Sequence, residues 1–169
     1  MPKIIKDVRK QLITEAKRQI NVFGYQNTTI RSIAKECNLA VGTVYNYFKS
    51  KEMLVATFML DDWLKYIDEV KNFATNDKYL ILEKIYTIIN DFYKKYNFIF
   101  IETQAIINKN ENYEKRHIML REQLSQLIIP LVTSNNKDFV AKFIAEALIS
   151  WSIEDEPFTN VYQVINKLL

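Results

Sequence analysis

Residues 39–51, LAVGTVYNYFKSK, set small and hydrogen-bonding side chains where a short helix would turn them outward. Val41, Gly42, Thr43, Asn46 and Tyr47 can share that outer side, while Leu39, Val44 and Phe48 face in. Hydroxyl and amide groups bond phosphate oxygens and base edges, and a glycine lets a backbone come close to a duplex. This is the chemistry of recognition, not of bond-making. The ingredients of catalysis are missing: one His and one Cys cannot assemble a zinc site, and no His pairs with a nucleophile. No glycine-rich phosphate loop is visible in a chain with two glycines. The chain is therefore not expected to be an enzyme, and no metal or cofactor is expected.

The elements that must hold this segment are legible from spacing. Val8, Leu12, Ile13, Ala16, Ile20 and Phe23 recur every three or four residues, which predicts a helix from about Lys6 to Phe23, stopped by Gly24. Thr29 can cap a second helix carrying Ile30, Ile33, Ala34 and Cys37 on one face. Asn38 comes next, where the chain turns sharply, and Asn tolerates the left-handed conformation. A third helix starts near Ala40 or Val41. Two short helices bury too little to stand alone, so the first is needed as support, giving a three-helix head.

Charge is unevenly shared. Residues 1–54 carry ten Lys and Arg against four Asp and Glu, and residues 55–169 carry thirteen against sixteen. A basic N-terminal third is the footprint of a surface that meets nucleic-acid phosphates, although a solvated charged face would look the same. Beyond residue 48 the pattern is of long helices with a few polar breaks, at about 51–73, 78–96, 98–108, 112–129, 138–152 and 157–169. The fold class is all-α, with about nine helices. With one Cys, no 18-residue apolar run and no signal-like start, a soluble cytoplasmic protein is expected, away from membranes.

From Thr28 to Leu54 the run TTIRSIAKECNLAVGTVYNYFKSKEML is similar to the signature of the tetracycline-repressor (TetR) family. Phe23, Gly24 and Tyr25 match its end-of-first-helix pattern, so the resemblance covers about residues 8–54. It implies a helix-turn-helix DNA-binding domain over residues 1–50 and a helical effector-binding and dimerisation domain over 51–169. By the same resemblance Thr29, Thr43, Tyr45, Tyr47 and Lys51 contact double-stranded operator DNA, mainly its phosphates, and Arg31 points toward a base or the backbone. Base choice then rests on Arg31, Val41, Asn46 or Tyr47. Two positions depart from the pattern: Asn38 stands where the family usually has Gly, and Ala40 where it usually has a capping Ser or Thr.

The second domain is rich in aromatics, and the resemblance implies a pocket for a small lipophilic or aromatic effector whose binding releases DNA. Trp63, Tyr66, Phe92, Tyr93, Tyr96, Phe100, Glu102, Gln104 and His117 are its candidates, with Glu102, if buried, favouring a cation. His117 shares a helical stripe with Leu120, Leu124, Leu127 and Leu131, where it reads first as a satisfied inward histidine. The helix of residues 138–152 is apolar on two faces, Val140, Phe143, Ala147 and Trp151 against Ala141, Ile144, Ala145 and Leu148. One face can serve the core and the other a partner. Ala141, Ile144, Ala145 and Leu148, with Phe158, Tyr162 and Ile165 on the final helix, are expected to form the two-fold homodimer interface. An alternative is a DNA-binding dimer whose second domain docks a protein, or only dimerises, without an inducer.

Overall fold

The computed structural model describes residues 7–107 and 112–169, with side chains omitted over 103–107 and 112–116. Eight α-helices and no strand occur among the described residues: α1 Val8–Asn27, α2 Ile30–Glu36, α3 Val41–Tyr47, α4 Lys51–Lys71, α5 Lys78–Ile107, α6 Asn112–Ile128, α7 Lys137–Ile153 and α8 Phe158–Ile165. The all-α class is as expected, with one helix fewer than the nine predicted. Asn97 does not break the chain, and α5 runs through it for 30 residues, about 45 Å. Tyr96 and Ile99 are buried on either side of Asn97, so the apolar stripe continues across it. Burying those side chains outweighs the few tenths of a kcal/mol that Asn costs a helix. No described helix is long and apolar enough to cross a membrane.

The chain divides into two compact units, Met1–Leu64 with Phe98–Glu102, and Lys65–Asn97 with Thr103–Leu169. In the first, Leu12, Ala16, Ile20, Ile33, Val44, Phe48, Leu54 and Phe58 form the core. Phe23, expected to face inward, is exposed, because the helical register that buries Ile20 ends at Gly24 and Tyr25 takes the next inward place. Asp62 of α4 is buried and bonded to Lys17 of α1 at 2.6 Å, which ties the two helices by a charged contact.

The turn from α2 to α3 forms as its sequence dictates. Asn38 has φ 54°, its N–H donates to the carbonyl of Lys35, and the N–H of Leu39 donates to that of Ala34. These paired bonds satisfy the carbonyls left over at the end of α2. At the start of α3, Ala40 offers no side-chain cap.

In the second unit α6 and α7 pack on each other. Leu124 and Ile128 face inward from α6, and Ala141, Ile144, Ala145 and Leu148 face inward from α7, all with no exposed surface. Lys142 bridges Glu122 (3.0 Å) and Asp138 (2.9 Å). This corrects the expected dimer face: Ala141, Ile144, Ala145 and Leu148 are the chain's own core and cannot also meet a second copy. Ile165 is likewise buried, and Phe158 and Tyr162 stack edge-on against Tyr79 of α5 at 5.2 and 4.7 Å. The outward face of α7 is Phe139, Phe143 and Trp151, which are 62, 52 and 45% exposed.

Because α3 lacks its cap, Ala40→Ser should raise stability in urea unfolding by about 0.5–2 kcal/mol. Asn38→Ala should lower it by about 1–2 kcal/mol through the left-handed backbone, whereas Asn38→Gly should not.

Candidate nucleic-acid interface

The outer face of α3 holds the residues that the spacing placed there. Gly42, Tyr45, Asn46 and Tyr47 are exposed, the tyrosines to 45 and 47%, and Val41 and Thr43 are half-buried. Val44 and Phe48 are buried and seat the helix, with Leu39 half-buried beside them. Gly42 is informative, because a Cβ built on it would meet nothing within 4 Å. Nothing in the fold requires glycine there, yet glycine costs a helix about 1 kcal/mol relative to alanine. A small residue at this place makes sense toward something outside the chain.

Thr29 caps α2 in a reciprocal arrangement: its Oγ1 accepts from the N–H of Ser32 (3.0 Å), and its own N–H donates to Ser32 Oγ (3.1 Å). The hydroxyl proton of Thr29 is left to donate elsewhere. Arg31 is exposed one residue into α2. Two basic residues beside α3 were not among those that sequence singled out. Lys49 is exposed just past it, and Arg9 lies 5.7 Å from the ring centre of Phe48. The signal for Lys49 is its exposure, which sequence could not rank against the neighbouring Lys51.

Lys51 sits differently from the free cation that the resemblance implies. Its Nζ donates to the carbonyls of Tyr25 (2.8 Å) and Thr28 (2.9 Å) and lies 3.8 Å from the centre of the Tyr25 ring. Burial holds its pKa below the usual lysine range. The Tyr25 hydroxyl donates to Glu52 Oε1 (2.8 Å), and burial together with that carboxylate raises the phenol's pKa, so it stays a donor. Lys51 is thus first a strut between α4 and the end of α1, with one of three ammonium protons left over.

The expected effector residues are found in both units. Trp63, Phe100 and Glu102 belong to the first unit, and Tyr66, Phe92, Tyr93, Tyr96 and His117 to the second. Gln104 lies outside the described side chains. Trp63 and Tyr96 are core residues. Phe92 packs edge-on against Tyr66 (6.4 Å) and Tyr96 (4.9 Å). Glu102, expected as a pocket carboxylate, accepts the backbone N–H of Gln26 through its Oε2 (2.9 Å). His117 is satisfied as expected, with Nε2 at 2.9 Å from both oxygens of Glu146, although it is only half-buried. Two open clefts lie on the first unit, one lined by Gln11, Glu36 and Cys37 among others and one by Arg18, Phe23 and Lys35; neither includes an expected effector residue. No cluster of three His, Cys, Asp or Glu able to hold a metal occurs among the described residues.

The family model for "Bacterial regulatory proteins, tetR family" matches residues 12–57. The uncharacterized HTH-type transcriptional regulator YhgD of Bacillus subtilis is 40% identical over 65 residues, which are 36% of this chain and 34% of YhgD. The fatty acid metabolism regulator protein of B. subtilis is 23% identical over 118 residues, 70% of this chain and 59% of that protein. The aligned stretch thus spans about a third of YhgD and under two thirds of the other. Among solved structures, Thermus thermophilus FadR, a TetR-family transcriptional repressor in complex with lauroyl-CoA, superposes with TM-score 0.68 at 15% identity, over 95% of this chain and 92% of that one. That likeness is one of fold.

Lys51→Met should lower stability by about 1–3 kcal/mol, since it leaves the Thr28 carbonyl without its donor and the Tyr25 carbonyl with only the Thr28 N–H. Tyr25→Phe, which removes only the bond to Glu52, should cost about 1 kcal/mol. Chemical denaturation followed by circular dichroism checks both.

Proposed function

Because the chain belongs to the tetR family of bacterial regulatory proteins, we propose that it is a cytoplasmic, dimeric DNA-binding transcription regulator, a repressor released from a palindromic operator by a small lipophilic or aromatic effector. The observation that carries the reading is the outward row of α3, with a glycine that the fold itself does not need. Residues 1–50 form the DNA-reading head and 51–169 the effector and dimerisation body. On the operator, Thr29, Thr43 and Tyr45 donate to phosphate oxygens, and the remaining proton of Lys51 adds one charge-assisted bond. Arg31, Val41, Asn46 and Tyr47 choose among bases, and Gly42 admits the duplex backbone.

One α3 reads few bases, so two heads related by a two-fold axis are needed for a specific site, with half-sites about one helical turn apart. Phe139, Phe143 and Trp151 on α7 are the apolar surface suited to a second copy, in place of the buried face. The lauroyl-CoA bound by T. thermophilus FadR makes long-chain acyl thioesters the first effectors to try. A tenfold to hundredfold loss of operator affinity requires a coupling of only about 1.4–2.7 kcal/mol. Selecting bound fragments from the source genome tests the central reading. Recovery of a palindromic site supports it, and recovery of no DNA rejects it.

Three outcomes are expected. Tyr45→Phe weakens binding to all duplexes alike, while Arg31→Ala or Tyr47→Ala changes the ranking among operators, as measured by fluorescence anisotropy over a panel of sites. Phe143→Glu with Trp151→Glu gives folded monomers at micromolar concentration by sedimentation, whereas Ala141→Glu loses helical signal, because it buries a charge in the core. Lauroyl-CoA titrated by calorimetry binds more weakly in the presence of operator, and equal affinities would reject induction by that ligand.

A further inference from the structure

Residues 24–28 lead from α1 to the cap of α2, and side chains from two distant helices hold them. Gly24 has φ 81° and ψ 165°, which kinks α1 before its last three residues. The turn then presents carbonyls at Gly24, Tyr25 and Thr28 and an N–H at Gln26. Thr28 Oγ1 donates to the Gly24 carbonyl (2.9 Å), and Lys51 takes those of Tyr25 and Thr28. The N–H of Gln26 goes to Glu102 of α5, and the Gln26 side-chain amide donates to the Glu102 carbonyl (3.1 Å). The fit is close: a Cβ at Gly24 would sit 3.3 Å from Glu102 Oε1. Glu102 is also near enough to Lys51 to favour its charged form against the effect of burial. All of these residues lie in the first unit.

We infer that Glu102 is a positioning residue for DNA binding: its carboxylate and the ammonium of Lys51 clamp the turn 24–28 from two sides, and so fix where Thr29 and the first turn of α2 are presented. The inference rests on the DNA-binding reading and adds a residue that touches no DNA. Water could satisfy the Gln26 N–H, but water would not set the direction of the chain. The carboxylate does, because it is covalently part of α5. Thr29 is bonded directly to Thr28, so freedom in the turn passes straight to the α2 cap.

The test uses the full-length chain and Glu102→Ala, Glu102→Gln and Gln26→Ala variants. Amide hydrogen exchange is read without DNA, and affinity is read by anisotropy on a mixed-sequence duplex of about three helical turns. Glu102→Ala is expected to speed exchange at Gln26 and through Thr28–Ile33 about tenfold, and to weaken DNA binding about fivefold to twentyfold, the size of one lost charge-assisted bond. The salt dependence should keep its slope, since no phosphate contact is removed. Glu102→Gln keeps an acceptor and should restore most of both readouts, which a role in helix stability alone would not require. Gln26→Ala leaves the carboxylate bond intact and should show a small effect, and it keeps the test alive if Glu102→Ala does not fold. Unchanged exchange in Glu102→Ala, or DNA affinity raised in both Glu102 variants, overturns the inference. A wild-type chain that binds no duplex rejects the regulator reading instead, and the exchange measurement still decides the clamp.

Discussion

When Gly24 takes a positive φ, α1 kinks three residues before its end and sheds backbone groups that its own hydrogen-bond ladder no longer serves. A buried carbonyl left without a partner costs about 1–3 kcal/mol, so those of the buried Tyr25 and Thr28 must be met, while the exposed Gln26 N–H could also turn to water. Apart from the Thr28 N–H, which donates to the Tyr25 carbonyl, the partners here are side chains: Thr28 closes back on Gly24, Lys51 reaches in from α4, and Glu102 reaches in from α5. The ring of Tyr25 supports the ammonium from below, and its hydroxyl engages Glu52. The turn is thereby built from residues up to 76 positions apart, and the direction in which α2 departs depends on all of them.

The two helices beyond that turn are short and have little stability of their own. α2 and α3 have seven residues each, below the length at which an isolated helix persists in water. α2 gains a reciprocal Thr29–Ser32 cap at one end and the Asn38–Leu39 closure at the other. α3 has no side-chain cap and is seated by Val44 and Phe48. The outward row of Gly42, Tyr45, Asn46 and Tyr47 therefore holds its direction through the packing beneath it, not through the helix that carries it.

The second unit solves a different problem, a helix with two apolar faces. α7 buries Ala141, Ile144, Ala145 and Leu148, whose small or branched side chains let α6 come close. Charges flank that seam, with Lys142 between Glu122 and Asp138 and with His117 on Glu146. The bulkier Phe139, Phe143 and Trp151 stay outside. The small-residue face suits close packing within a chain, and the large aromatics offer area to a partner.

The head was legible in the sequence because its determinants are local. Periodicity placed Leu12, Ala16 and Ile20 inside; turn chemistry assigned Thr29 its cap and Asn38 its left-handed backbone; and the spacing within VGTVYNYF separated Val44 and Phe48 from Gly42, Asn46 and Tyr47. Each of these outcomes is decided by residues within a turn or two. The rest was settled only in three dimensions. Two equally apolar faces made the periodicity of α7 degenerate, and contact with α6 chose between them. Asn97 reads as a break until the buried residues on either side of it are seen to continue one stripe. Lys51 reads as a surface charge and Glu102 as a pocket acid, yet both end on the backbone of one turn. A long polar side chain goes where a backbone group is left unmet, and folding creates that place from segments that the sequence keeps far apart.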